Sequence, residues 1–149
     1  METKTKVEII PTKFEHCLLL SDKLDEKARE IIRKGWNIEP FQGLVNAWGT
    51  SRFCMSVFIN DKIAGIFGCS ENADCSVGYP WLTTASLIEQ YKIRFVRQSK
   101  KYLDEFKSEY PVLICFAYKE NRLLLNWLIY SGFEISGMKG EFYECVYRH

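Results

Sequence analysis

Between Pro111 and the polar turn Lys119-Glu120-Asn121 stand seven uncharged residues: Val112, Leu113, Ile114, Cys115, Phe116, Ala117 and Tyr118. No other segment narrows the fold as much. A strand at a surface alternates apolar with polar side chains. This one offers apolar groups to both faces of a sheet, so both faces need cover. It is expected at the centre of a sheet, and helices from the rest of the chain must supply the layers around it.

Helical periodicity supplies those layers. Upstream, Ser86-Leu-Ile-Glu89 has the capping-box spacing. It predicts the start of the longest helix, running to about residue 107 with Ile88, Tyr91, Phe95, Tyr102 and Phe106 as its apolar stripe. Downstream, Asn121 opens a helix that ends at Ser131-Gly132. Nearer the N-terminus, Leu19, Leu20, Leu24, Ala28, Ile31 and Ile32 predict a single helix over 16–33, stopped by Gly35. Glu39-Pro40 begins another, to about Trp48, with Phe41, Leu44, Val45 and Trp48 on one face.

The remaining β-prone segments are 7–10, closed by Pro11, and a hairpin of 53–59 with 63–69 around Asn60-Asp61-Lys62. Residues 77–82 read as an irregular strand, because Gly78 and Pro80 both weaken a regular ladder. Residues 133–136 and 142–147 form a closing hairpin around Gly137 and Gly140. The order β-α-α-β-β-β-α-β-α-β-β predicts an α/β fold, a mixed sheet layered with helices.

Composition excludes several functions. A chain of 149 residues suits one domain, expected over 1–149, without repeats or low-complexity tracts. Twenty basic against nineteen acidic residues give a net charge of +1, which supplies no general attraction to nucleic acid or an anionic membrane. The longest apolar runs fall far short of the roughly 20 residues of a membrane span, and polar 1–6 is no secretory leader. A soluble, cytoplasmic protein is expected. The cysteines, at 17, 54, 69, 75, 115 and 145, include no Cys-x-x-Cys pair, and the two histidines, His16 and His149, sit near the termini. Zinc-ligand spacing and a Cys–His nucleophile pattern are both missing, so free, mostly buried thiols and no metal are expected.

Asn121-Arg-Leu-Leu-Leu-Asn-Trp127-Leu128-Ile-Tyr-Ser-Gly132-Phe133 resembles the late helix of the GNAT N-acetyltransferases, where an Asn after the fifth strand precedes Gly-Phe by eleven and twelve residues. The hairpin Val57-Phe-Ile-Asn-Asp-Lys-Ile-Ala-Gly65 is similar to the family's second and third strands, and the element order extends the resemblance over nearly the whole chain. It implies a central, mostly antiparallel mixed sheet of about seven strands, splayed between the fourth and fifth, with about four helices. Tyr79-Pro-Trp81-Leu-Thr-Thr84, the helix carrying Phe95, Arg97 and Tyr102, and Tyr110-Pro-Val-Leu113 further resemble GNAT-like proteins of short-tailed bacteriophages, some of them internal virion components.

The resemblance implies acetyl-CoA as cosubstrate and an amine of a protein or small molecule as acceptor. It places the pantetheine arm along residues 77–82, including Trp81 and Leu82, and the pyrophosphate at Thr83, Thr84, Ala85 and Ser86. It puts Asn121 and Trp127 beside the CoA arm. Two departures stand out. The family's glycine-rich pyrophosphate loop has no counterpart, since no glycine lies between Gly78 and Gly132, and Leu128 occupies the family's usual Tyr position. The hydroxyls of Thr83, Thr84 and Ser86, with charge from Lys92 or Arg94, are the candidate substitutes; the alternative is simple helix capping.

An acetyl transfer needs a base for the amine and an acid for the departing thiolate. Glu71 and Asp74, near the start of strand 77–82, are the candidate bases, or ordinary loop carboxylates. Tyr118 and Tyr130 are the candidate acids. Lys92, Arg94, Arg97, Lys100 and Lys101 form a basic cluster, either a contact for nucleic acid or CoA phosphates or a solvated helix face. Trp36, Phe41 and Trp48 line an acceptor pocket or form a core or partner surface. Against the enzyme stands a non-catalytic protein with the same fold, acting by binding another protein as a virion component. A transferase for a different acyl-CoA is a third reading. A homodimer is compatible with either main reading.

Overall fold

The computed structural model describes residues 5–148; the polar stretch 1–4 and His149 lie outside them. Among the described residues the strands form one seven-stranded mixed sheet in the order β1-β2-β3-β4-β5-β7-β6, with five α-helices. The expected α/β class and sheet are therefore present, with one helix more than the sequence predicted. Contacts divide the chain into two compact units. One comprises residues up to Gly68 together with Leu82–Tyr91, and the other comprises Cys69–Trp81 and everything from Lys92 onward.

The first unit begins with β1 (Val7–Pro11), followed by α1 (Phe14–Lys23), α2 (Glu26–Trp36) and α3 (Pro40–Thr50). The single helix expected over 16–33 is in fact two. The apolar period runs straight through Leu24, but Asp25 is a helix-capping residue whose Oδ1 accepts the Ala28 N–H at 2.8 Å. Leu24 is driven into an extended conformation, and the Arg29 guanidinium donates to the carbonyls of Ser21 and Leu24 at 2.6 and 3.1 Å. That arginine satisfies orphan groups at the end of α1, so the break costs few hydrogen bonds.

The hairpin of β2 (Ser51–Ile59) and β3 (Lys62–Glu71) turns at Asn60 and Asp61, both with positive φ, as a two-residue turn matched to strand twist requires. β1 pairs antiparallel with β2, Val7 opposite Ile59. The core of this unit holds Leu20, Leu44, Val57, Ile59, Ile66 and Phe67, all buried. His16 lies among them: its Nδ1 accepts the Lys13 N–H at 3.1 Å and sits 2.9 Å from Ser56 Oγ, which is also bonded to Thr12.

The second unit is built on the apolar run 112–118. β5 (Val112–Tyr118) pairs antiparallel with β7 (Phe142–Arg148), Cys115 opposite Cys145, and β7 pairs with β6 (Glu134–Lys139). The closing turn lies at Gly140, and Gly137 belongs to β6 rather than to the turn. α4 (Lys92–Glu109) and α5 (Arg122–Tyr130) contribute Phe95, Leu103, Phe106, Trp127 and Leu128 to a core that also holds Tyr110 and Leu113. No helix among the described residues is long and apolar enough to cross a membrane.

Candidate active site

β4 (Val77–Thr84) is the strand to which the expected cofactor residues belong. Within the second unit it runs parallel to β5, but the ladder comprises only Val77 opposite Val112 and Gly78 opposite Leu113. Chemistry at Gly78 and Pro80 explains why the contact is so short. A Cβ at Gly78 would stand 2.6 Å from Tyr110 Cδ2 and 2.7 Å from Leu113 Cδ2, so the strands touch where a glycine permits it. Two residues later Pro80 has no N–H to donate. Beyond Gly78, residues 79–81 are not paired with β5, and Tyr79 is exposed. The expected irregularity of this strand is thus the end of a ladder, with β4 itself extending two residues further than predicted.

In the first unit, Leu82, Thr83 and Ala85 are buried, Thr84 is half-buried and Ser86 is exposed. The Ala85 N–H donates to the Ala64 carbonyl on β3 at 2.8 Å, so that amide is already committed. The long helix does not begin at Ser86. Ser86–Tyr91 is a 3-10 turn, and α4 starts at Lys92. The capping-box spacing is present in the letters, yet the tighter turn closes with the Ile88 N–H on the Ala85 carbonyl at 3.1 Å. Of the four residues assigned to pyrophosphate, Thr84 and Ser86 are the two that reach the surface.

The two candidate bases sit differently. Glu71 ends β3 and is half-buried, and its Oε2 is shielded from solvent without a hydrogen-bond partner among the described residues. A carboxylate oxygen in that condition is costly unless a ligand supplies the missing partner. Asp74 is exposed in the following loop, and its Oδ1 accepts from the Ser76 hydroxyl at 2.6 Å and the Ser76 N–H at 3.1 Å. These bonds from Ser76 hold the Asp74 carboxyl below the usual carboxylate range, which makes it a weak proton acceptor. Asn72 closes the loop by accepting the Val77 N–H at 3.0 Å.

The candidate acids occupy opposite ends of α5. Tyr118 is buried at the end of β5, its ring edge-on to Phe142 at 5.6 Å, whereas Tyr130 closes α5 and is 53% exposed. Asn121 caps α5 as expected, Oδ1 accepting the Leu124 N–H at 3.2 Å, and Gly132 leaves the helix with φ +95°.

Trp127, expected beside the CoA arm, is packed inside the second unit. It is 0% exposed, donates its indole N–H to Ser99 Oγ at 2.9 Å and stacks on Phe95 at 6.2 Å. Its side chain belongs to the core between α4 and α5. Leu128, at the family's Tyr position, is equally buried.

The aromatic group in the first unit is wider than the sequence suggested. Phe14 on α1, which the sequence reading passed over, packs edge-on to Phe41 at 5.9 Å and against Trp48 at 6.3 Å. The Trp48 indole donates to the Thr12 carbonyl at 3.2 Å, and Trp36 remains exposed. In the basic cluster, Lys100 pairs with Asp104 at 3.0 Å, one turn along α4. None of the six cysteines forms a disulfide, and Cys75 alone is exposed.

No family model and no curated protein sequence matches the chain. Solved structures do. A protein of Pyrococcus horikoshii is similar at 16% identity with a TM-score of 0.72, over 97% of this chain and 99% of that one. An acetyltransferase of the GNAT family from Streptococcus pneumoniae is similar at 12% identity and a TM-score of 0.66, over 95% and 98%. The PaiA N-acetyltransferase of Thermoplasma acidophilum, solved in complex with coenzyme A, is similar at 12% identity and a TM-score of 0.65, over 97% and 99%. At these identities the likeness is one of fold, and the fold is that of the GNAT acetyltransferases.

Proposed function

We propose that the chain is an acetyl-CoA-dependent N-acetyltransferase of the GNAT type, acting on an amine of a protein or small molecule in the cytoplasm. The observation that supports it most is the two-pair ladder between β4 and β5, which leaves residues 79–81 with main-chain groups not used by β5. An extended pantetheine arm presents amides that bond such a strand, and the same backbone can steady the oxyanion of a tetrahedral intermediate. Trp81 and Leu82 continue that strand, and Thr84 and Ser86 are the residues for the pyrophosphate. Thr83 and Ala85 support this loop from the buried side.

Glu71 is the base: its unpartnered carboxylate oxygen takes the proton as the amine attacks the thioester carbonyl. Collapse of the intermediate expels the CoA thiolate, which takes a proton from solvent. Replacing Glu71→Gln is expected to lower the rate of thiol release on a good acceptor by about 10²–10⁴-fold while leaving acetyl-CoA affinity in place. An unchanged rate and pH profile would remove Glu71 from this role.

A second reading, a fold retained for binding another protein in a phage particle, is favoured by three observations. The pyrophosphate loop lacks glycine, the Ala85 amide is spent on Ala64, and Leu128 is packed into the core. Binding of acetyl-CoA separates the two readings.

A further inference from the structure

β6 is the terminal strand of the sheet among the described residues, and all six of its residues are exposed. Ile135 and Met138 are 47% and 50% exposed. An edge strand presents a row of main-chain donors and acceptors that natural proteins cover or blunt. Here the uncovered edge carries a pattern that is complementary to itself.

The register against β7 reveals the pattern. Ile135 stands opposite Cys145 and Gly137 opposite Glu144, so Ser136 is the extra residue of a bulge. Met138 then faces Tyr143, Lys139 faces Phe142, and Glu134 faces Val146. Cys145 and Tyr143 are two residues apart on β7 and share one face, and Val146, Glu144 and Phe142 share the other. Although three residues apart, Ile135 and Met138 therefore lie on one face of β6, while Glu134 and Lys139 lie on the opposite face. Without the bulge each pair would be divided.

We propose that two copies of this chain associate through β6, paired antiparallel about a two-fold axis between Ser136 and Gly137. In that register Glu134 of one copy faces Lys139 of the second copy, and Ile135 faces Met138 of the second copy. Each pair occurs twice, as an isologous contact requires. Charge meets opposite charge on one face and apolar meets apolar on the other. A parallel register would set Glu134 against Glu134 and Lys139 against Lys139, and a one-residue slip would set charge against apolar side chain. A strand of six residues covers less than the ~800 Å² per partner of a standard interface, so the dimer is weak and concentration-dependent.

Sedimentation velocity over concentrations on the order of 10 μM to 1 mM tests this directly. The wild type is expected to shift reversibly from monomer to dimer. Glu134→Lys alone, or Lys139→Glu alone, places like charges opposite each other twice and is expected to weaken the dimer roughly tenfold. Combining Glu134→Lys with Lys139→Glu restores opposite charges in the same register and is expected to recover wild-type association. Both side chains are exposed, and Lys139 holds its ammonium 5.4 Å from the Phe116 ring, so every variant is expected to melt cooperatively within about 2–4 °C of the wild type, which excludes misfolding as the cause. A wild type that stays monomeric throughout, or a dimer on which single and double exchanges act alike, would overturn the proposal.

Discussion

Ser99 and Trp127 meet where α4 packs on α5, and their hydrogen bond fixes what Trp127 is for. Both side chains are fully buried; Ser99 Oγ accepts the indole N–H at 2.9 Å and donates to the Phe95 carbonyl at 2.7 Å. Ser99→Ala removes the indole's acceptor in a place water does not reach, a loss of about 1–3 kcal/mol. Trp127→Phe sacrifices the same bond and leaves a partly collapsed cavity, at about 2 kcal/mol. The double variant loses the bond only once, so the two costs should fall short of additive by about 1–2 kcal/mol. Chemical denaturation followed by circular dichroism measures this, and each kcal/mol appears as about 2–4 °C in a thermal melt of a chain this size. If Ser99→Ala matches the wild type within about 0.5 kcal/mol, or the two effects add, the bond does not hold this core and the reasoning fails.

Other expectations follow from the same kind of argument. Burial holds the His16 imidazole below its usual pKa, so the unfolded chain takes up that proton first. Stability owed to neutral His16 should be complete above about pH 6.5 and decline as pH falls below it; urea titrations at several pH values should show this slope flattened in His16→Gln. Gly78→Ala places a Cβ against Tyr110 and Leu113 and should cost about 1–3 kcal/mol in the same denaturation assay. Asn121→Ala removes the cap of α5 at about 1 kcal/mol, with Asn121→Asp close to neutral. Burial pushes the Cys54 and Cys69 thiols up to about 12 and Cys115 higher still, so a thiol reagent on the native protein should label Cys75 quickly and the others on unfolding.

Much of the fold was legible where local chemistry and the global arrangement agree. The run 112–118 is a central strand, and Asn121 and Gly132 bracket α5 as the letters suggest, because cap and positive-φ positions are decided within a few residues. The break between α1 and α2 was hidden because the apolar period crosses it undisturbed, and only the bond from Asp25 to Ala28 shows which signal won. The 3-10 turn at 86–91 was likewise invisible, since capping-box spacing does not reveal whether the first turn closes on the third or the fourth residue. Sequence spacing placed Trp127 on the right helix without telling core from ligand side. The contrast between Glu71 and Asp74 depends on which oxygen finds a partner, and that is a property of packing.

The central claim is cofactor binding, and calorimetric titration with acetyl-CoA, beside free CoA, tests it most directly. Binding in the micromolar range, lost when Thr84→Glu and Ser86→Glu are introduced together, is the predicted result. No heat and no thermal stabilisation at millimolar acetyl-CoA would contradict the acetyltransferase reading and leave the protein-binding one standing.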